Sequence, residues 1–140
     1  MPIAQWDPKY VTGHKPVDEQ HKMLFGMVNN LHDAIISGKG PEVLGPTLQE
    51  LARYTIEHFA EEEKLMASIN YVNSAEHKSK HDALTTQVKD LLDRYATGKL
   101  ALSMTLSTFL ANWLQHHIKE DDILLIQHMQ ARAREQLAAQ

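Results

Sequence analysis

Five histidines and two carboxylates occupy helix positions where apolar side chains would be expected. In the second predicted helix the inward positions alternate at intervals of four and three, and they run through Leu51, Thr55, His58, Glu62 and Leu65. The other predicted helices also exchange core positions for nitrogen or oxygen ligands in the same rhythm. The candidate ligands are His21, His58, Glu62, His77, His81, His117 and either Asp121 or Asp122. This set of side chains indicates metal coordination inside a helical bundle.

The alternative is a polar core held together by hydrogen bonds. A single histidine on an apolar face is usually a hydrogen-bonded core residue, but a buried carboxylate without a partner costs several kcal/mol or shifts its pKa. Five histidines and an acid from four helices would need a dense network of mutual hydrogen bonds. No lysine or arginine lies on the same helix faces to neutralise the acids. We therefore favour a metal site.

The ligand types and their number indicate a pair of ions. Imidazole and carboxylate ligands without thiolates favour iron, manganese, zinc or copper over calcium or magnesium. Seven protein ligands are too many for one ion, whereas two ions bridged by two carboxylates would use all of them. With three histidines on one ion, two on the other and one bridging oxygen, the ions would have six and five ligands. The five-coordinate ion would then have a vacant position for a small molecule.

Four helices of roughly twenty residues, each ~30 Å long, must position these ligands. The first is predicted over residues 18–37 with Asp18 as N-cap, and the third over 74–97 with Ser74 as cap. The second begins at Pro41 or Pro46 and ends near residue 68. The fourth opens at Ser103 and reaches about residue 120, followed by a helical stretch to 137.

Short loops between these helices predict antiparallel neighbours. The expected fold is all-α, an antiparallel up-and-down four-helix bundle with an extended N-terminal arm and a short C-terminal helix. Residues 1–17 contain three of the five prolines and form the arm, with Trp6 and Tyr10 as its anchors. We expect one domain over residues 1–140.

Composition excludes several classes of function. The net charge is −4 and the 14 lysines and arginines are scattered, so no surface for nucleic acid is expected. No apolar run is long enough for membrane insertion. The absence of cysteine excludes disulfides, thiolate zinc sites, iron–sulfur clusters and a cysteine nucleophile. The first residues lack the features of a signal peptide, which favours a cytoplasmic location.

The ligand-bearing segments together resemble the hemerythrin family, especially single-domain bacterial hemerythrins. The first helix carries Val17-Asp18-Glu19-Gln20-His21-Lys22, and the second His58-Phe59-Ala60-Glu61-Glu62-Glu63. The third contributes His77-Lys78-Ser79-Lys80-His81, and the fourth Trp113-Leu114 before His117-Ile118. The resemblance covers essentially the whole chain. Departures from the family pattern at Val72 and Leu125 concern loop shape and packing, not the ligands.

This resemblance implies reversible dioxygen binding at two non-haem iron ions joined by an oxo or hydroxo bridge. His77, His81 and His117 would hold the coordinatively complete iron, and His21 and His58 the open one. Glu62 and an aspartate would bridge the two. Phe59, Trp113, Leu114 and Ile118 are candidates for the apolar wall of a dioxygen pocket. The alternative, ordinary core packing, is compatible with the same role.

The identity of the bridging aspartate is a conflict between two arguments. The family pattern places it five residues after His117, which selects Asp122. Ideal α-helix geometry favours Asp121, because four residues turn the helix by ~40° beyond a full turn and five by ~140°. We follow the family pattern and expect the helix to loosen or break near Asp122.

The remaining polar residues are interpreted as non-ligands. Glu61 and Glu63 are expected on a solvated face, and His116 on the surface or behind a ligand. His14, His32 and His128 fall outside the ligand pattern.

We expect an oxygen-binding protein, not an enzyme, serving storage, transport, delivery or sensing, with an oxygen-consuming protein as a possible partner. The alternative is a di-iron redox enzyme acting on nitric oxide or peroxide, or a donor of iron for cluster repair. Histidine-rich ligation argues against an oxygenase, because oxygen-activating di-iron bundles typically use more glutamates.

Overall fold

The chain folds into an antiparallel helical bundle, seen in a computed structural model that describes residues 3–98, 101 and 103–138. Its helices are α1 (Lys15–Ile36), α2 (Pro41–Ser68), α3 (Ser74–Ala96) and α4 (Met104–His117). A π-helical segment, Ile118–Asp122, joins α4 to α5 (Ile123–Ala138) without leaving helical backbone. Helix α1 packs against α2 and α4, and α2 packs against α3. The predicted all-α bundle is confirmed, and its C-terminal helix continues the fourth helix of the bundle.

The N-terminal arm is fixed to α1 by an aromatic cluster and by a pair of hydrogen bonds. The rings of Trp6 and Tyr10 each lie 5.2 Å from that of Phe25, in edge-to-face contact. The Ala4 amide donates to Asn29 Oδ1 at 2.8 Å, and Asn29 Nδ2 donates to the Ala4 carbonyl at 2.8 Å. Trp6 and Tyr10 are therefore anchors of the arm, as predicted. A short 3₁₀ turn, Pro8–Tyr10, interrupts its extended course.

The start of α1 differs from the prediction. The helix begins at Lys15, and His14 is its N-cap, with Nδ1 accepting a hydrogen bond from the Val17 amide at 3.4 Å. Pro16 fits the first turn because its fixed φ suits a helix start and its missing N–H would be unpaired there. Asp18 consequently lies inside the helix, so its prediction as N-cap was wrong.

Two further helix boundaries resolve or correct the sequence-based expectations. Helix α2 starts at Pro41, and the second candidate, Pro46, lies inside it. Ser74 is the first residue of α3, not its cap; Asn73 holds the cap position and makes no side-chain capping bond. Ser103 holds the N-cap position of α4 without a side-chain capping bond, which agrees with the expected start of the fourth helix.

In the described part of the chain, the interior consists of two apolar clusters separated by a polar layer. The large cluster includes Leu24, Val28 and Leu31 of α1 and their counterparts on the other bundle helices. The small cluster is formed by Val17, Met66, Tyr71, Leu125 and Ile126. The ligand candidates lie between the two clusters along α1, α2 and the fourth helix. Among the described residues, no helix is both long and apolar enough to cross a membrane.

Candidate metal centre

Every helix of the bundle supplies buried polar side chains to one layer. Helix α1 contributes His21, α2 contributes His58 and Glu62, and α3 contributes His77 and His81, one turn apart. The fourth helix adds His117 at the end of α4 and Asp122 at the end of the π-helical segment. All seven are buried, and both carboxylates are completely inaccessible to solvent. The predicted ligand positions thus come together in space.

The seven side chains form two overlapping groups. One contains His77, His81 and His117, the other His21 and His58, and Glu62 and Asp122 belong to both. Within each group the atoms that could bind a metal lie within 4.8 Å of one another. We refer to these as the three-histidine and two-histidine positions. Asp121 belongs to neither of them.

Each shared carboxylate directs one oxygen to each position. For Glu62, Oε2 lies 3.3 Å from His58 Nε2, whereas Oε1 lies 3.0 Å from His81 Nε2. For Asp122, Oδ2 lies 2.9 Å from His21 Nε2, whereas Oδ1 lies 3.0 Å from His77 Nε2 and 3.1 Å from His117 Nε2. This arrangement of oxygens suits two carboxylates that bridge two ions.

The π-helical segment brings Asp122 to the layer. The Ile123 amide donates to the Ile118 carbonyl, five residues earlier, and this wider turn changes the direction of the residues that follow. The helix therefore loosens at Asp122, where the conflict between family pattern and ideal geometry had predicted it. Single-turn π bulges inside α-helices occur frequently at functional sites.

The buried polar atoms of the layer fit a metal pair better than they fit each other. Both oxygens of Glu62 and Asp122, and the Nε2 atoms of His21 and His77, have no hydrogen-bond partner among the described residues. His21 Nε2 and His77 Nε2 lie 2.9 and 3.0 Å from the Asp122 oxygens, but their N–H bonds do not point at those oxygens. His81 Nε2 also faces His117 Nε2 at 3.0 Å, although only one of these nitrogens could donate to the other. Buried polar groups of native proteins are rarely left unpaired, and bound metal ions would satisfy all of these atoms together.

In the metal-free protein, the histidines and carboxylates of the layer shift one another's pKa values. Burial lowers the pKa of His21 and His77, but contacts with Asp122 and Glu62 outweigh it and raise each pKa to about 9. Burial acts to raise the pKa of Glu62, yet the surrounding histidines hold it well below its ordinary value. Protonated histidines therefore neutralise the two carboxylates. A bound cation would replace those protons, as at other sites with histidine ligands.

Three ligand histidines have side-chain partners on the ring nitrogen that faces away from the layer. His58 Nδ1 lies 2.6 Å from Gln20 Oε1, His81 Nδ1 lies 3.1 Å from Glu63 Oε2, and His117 Nδ1 lies 2.8 Å from Asp121 Oδ2. Each partner directly adjoins a ligand in the sequence. That adjacency was the only sequence signal for them. The prediction that Glu63 belongs to a solvated face was wrong, because the side chain leans back toward α3, whereas Glu61 is exposed as expected.

The other histidines lie outside the layer. His32 Nδ1 lies 2.7 Å from the Ser107 hydroxyl inside the bundle, and His128 packs against Tyr71. His116 is exposed and pairs with Glu120 at 3.1 Å. With His14 at the start of α1, these side chains have local structural roles.

An apolar wall borders the polar layer on the side of the large cluster. The Phe59 ring is stacked on His81, with centroids 3.9 Å apart, and Trp113 is stacked on His117 at 4.5 Å. Phe59, Trp113 and Leu114 line a cavity of about 30 Å³ that extends into the large apolar cluster. Ile118, the fourth predicted wall residue, is completely buried in that cluster but does not line the cavity.

A helical bundle with a layer of five histidines and two carboxylates defines a class of metal-binding bundle proteins, and the sequence matches one family of them. The model of the family described as Hemerythrin HHE cation binding domain matches residues 12–128. The chain belongs to the hemerythrin family.

Similar proteins include two bacteriohemerythrins and a hemerythrin-like protein. A bacteriohemerythrin of Pseudomonas aeruginosa is 36% identical over 117 residues, which cover 84% of this chain and 75% of that protein. The bacteriohemerythrin of Methylococcus capsulatus is 36% identical over 76% of this chain and 81% of its own length. A hemerythrin-like protein of Naegleria gruberi is 34% identical over 84% of this chain and 87% of its own.

Solved hemerythrin structures share the fold. A wild-type hemerythrin superposes with a TM-score of 0.82 at 33% identity, covering 86% of this chain and 92% of the other. A substituted hemerythrin reaches a TM-score of 0.85 at 32% identity, covering 89% and 95%.

Proposed function

We propose that this chain binds dioxygen reversibly at a pair of non-haem iron ions held in the polar layer. The observation that carries the proposal is the arrangement of Glu62 and Asp122, each of which directs one oxygen to each histidine group. An apolar cavity borders the same layer. Membership of the hemerythrin family supports iron as the metal, and imidazole and carboxylate ligands suit it.

The proposed ligation is asymmetric. His77, His81 and His117 would hold one ion, His21 and His58 the other, and Glu62 and Asp122 would bridge them. Together with a bridging oxygen, these residues would provide six ligands at the first ion and five at the second. The second ion would therefore have an open position. Two ferrous ions held there would supply the two electrons that reversible dioxygen binding needs.

The surrounding residues of this chain would keep the ligands oriented and the site dry. Stacking of Phe59 on His81 and of Trp113 on His117 restricts rotation of both imidazole rings. Leu114 completes the apolar wall on the side of α4. Exclusion of water from a closed site suppresses side reactions. The same wall would therefore favour release of dioxygen unchanged.

Anaerobic reconstitution tests the proposal. The protein would be loaded with ferrous iron, its iron content measured, and air admitted while the visible absorption spectrum is followed. We expect two irons per chain and a charge-transfer band that appears with oxygen and disappears on deoxygenation. Immediate irreversible oxidation, or catalytic turnover of nitric oxide or peroxide, would instead support a redox enzyme.

A further inference from the structure

The two metal positions differ in the groups that contact Nδ1 of their histidines, the ring nitrogen that faces away from the layer. At the three-histidine position, His81 and His117 each contact a carboxylate through Nδ1, at 3.1 Å from Glu63 and 2.8 Å from Asp121. At the two-histidine position, His58 contacts the neutral amide of Gln20. His21 Nδ1 has no hydrogen-bond partner within the described part of the chain.

Lysines of α3 lie beside both supporting carboxylates. Lys80 Nζ donates to Asp121 Oδ1 at 2.7 Å, whereas Lys78 Nζ donates to Asp82 of its own helix at 2.9 Å and lies 4.0 Å from Glu63 Oε1. These lysines lie between the ligands His77 and His81 in the sequence. One turn of α3 therefore carries two ligands on its inner face and, on its outer face, Lys80, which fixes Asp121, and Lys78, which lies near Glu63.

A carboxylate behind an imidazole acts on a bound metal in two ways. It accepts a hydrogen bond from Nδ1–H, which fixes the tautomer that presents the Nε2 lone pair to the layer, and its charge makes Nε2 a stronger electron-pair donor to the metal. A neutral amide fixes the tautomer with less effect on donor strength. Both carboxylates of this kind act on the three-histidine position, which also has the larger number of imidazoles.

We propose that Asp121 and Glu63 are positioning residues that make the three-histidine position the tighter of the two metal sites, so that it fills first. This inference rests on the metal-binding part of the proposed function and is independent of dioxygen. Asp121 acts on His117, Glu63 acts on His81, and Lys80 keeps Asp121 in place. The two-histidine position fills second and releases its ion first.

Titration of the metal-free protein with Co²⁺ tests the order of filling, because the visible spectrum of Co²⁺ reports the ligands of each bound ion. We expect two sequential binding events, the first of which has the spectrum of the histidine-rich position. Asp121→Ala and Glu63→Ala should each weaken the first event by ~10–100-fold and shift its spectrum, while changing the second much less. Asp121→Asn should recover part of the loss, because its amide oxygen still accepts from His117.

Matched controls separate support of a ligand from a general effect of charge or folding. Glu120→Gln and Glu61→Gln remove one negative charge next to Asp121 and near Glu63, but these carboxylates pair with exposed His116 and Lys64. Both controls should bind Co²⁺ like the unaltered protein. Thermal unfolding of each metal-free variant shows whether it is folded like the unaltered protein.

Three results would overturn the inference: unchanged first binding in Asp121→Ala and Glu63→Ala, equal weakening of both events, or equal loss in the controls. Failure of the unaltered protein to bind any metal would overturn the metal centre as well. Loss of reversible oxygenation with normal metal binding would leave this inference standing and contradict only the proposed function.

Discussion

The Asp122 carboxylate lies 3.1 Å from the Nε2 atom of His117, five residues earlier in the same helix. A regular α-helix would place these side chains ~140° apart around its axis. The π-helical segment Ile118–Asp122 removes that separation. Asp121 consequently turns outward to Lys80 and to the far side of His117, so that neighbouring acids with the same chemistry have different surroundings.

We predict that Asp122→Ala abolishes binding of at least one of the two ions and weakens the other, because it removes an oxygen from each position. Asp121→Ala should keep both ions and weaken only the tighter one. Metal content after gel filtration, measured by elemental analysis, distinguishes the variants. If Asp122→Ala kept both irons while Asp121→Ala lost them, the choice of bridging residue would be wrong.

Metal affinity should rise with pH between about 6.5 and 9. The pKa of His21 and of His77 is about 9 in the folded protein, against an ordinary value of 6.5, because contacts with Asp122 and Glu62 outweigh the opposing effect of burial. A metal ion must displace these protons, so affinity should increase by up to about tenfold per pH unit for each proton released. Calorimetry in buffers of different ionisation enthalpy counts the protons. A pH-independent affinity would contradict the prediction, and His116→Gln, outside the layer, should leave the pH dependence unchanged.

The free energy of unfolding of the metal-free protein should instead fall as the pH rises from about 6.5 to 9. Because folding raises the pKa of His21 and His77, their contribution is fully present below pH 6.5 and is lost as the pH rises toward 9. On the acid side, burial and the second carboxylate act to raise the pKa of Asp122, but the histidines lower it more, so this contribution is lost as the pH falls well below 4. Urea unfolding at a series of pH values should give a maximum between about pH 4 and 6.5. A maximum at pH 9 would exclude this assignment.

If dioxygen binds in the polar layer, Leu114→Thr should shorten the lifetime of the oxygenated form several-fold. The hydroxyl would place a water-binding group in the cavity wall beside Trp113. Leu31→Thr is the matched control, because Leu31 is buried in the same apolar cluster but does not line the cavity. Both changes should reduce the free energy of unfolding, by about 2–5 kcal/mol if they behave as large-to-small core substitutions. Equal decay of the visible band in the two variants would show that packing, not water entry, controls the lifetime.

Asp18→Ala should release the N-terminal arm and cost about 1–3 kcal/mol in the free energy of unfolding. The Asp18 carboxylate accepts from the Thr12 amide at 2.9 Å, from the Thr12 hydroxyl at 2.7 Å and from the Gly13 amide at 3.2 Å. Asp33→Ala, at an exposed position of the same helix, should change stability by less than about 0.5 kcal/mol. Urea denaturation provides the comparison. Equal effects of the two substitutions would mean that these bonds do not stabilise the fold.

Hydrophobic periodicity predicted the bundle because it depends only on the direction of side chains around each helix. It also identified His58 and Glu62, since both continue the apolar series of α2 at intervals of four and three. It could not place Asp122, because a π turn breaks the period on which the argument rests. Only the family resemblance pointed to this residue.

Side-chain partners were harder to predict than side-chain directions. Asp18 is of a residue type favoured at N-caps, but the helix starts nearer the N-terminus, with Pro16 in its first turn. The Asp18 carboxylate binds the arm instead. Glu63 lies in a run of three glutamates, and only the approach of α3 shows that it contacts His81. Such contacts depend on how neighbouring helices pack, which local sequence patterns do not specify.

The polar layer affects how cooperatively the two ends of the bundle unfold. It separates the small apolar cluster, which holds α5 through Leu125 and Ile126, from the large cluster that holds the rest of the bundle. Without metal, the two clusters are coupled through poorly aligned polar contacts, so the end of the bundle near α5 should open more readily than the remainder. Bound ions would join all four helices across this boundary. Amide hydrogen exchange in α5 should then slow far more on metal loading than exchange around Leu31, and equal slowing in both regions would show that the metal-free bundle already unfolds as one unit.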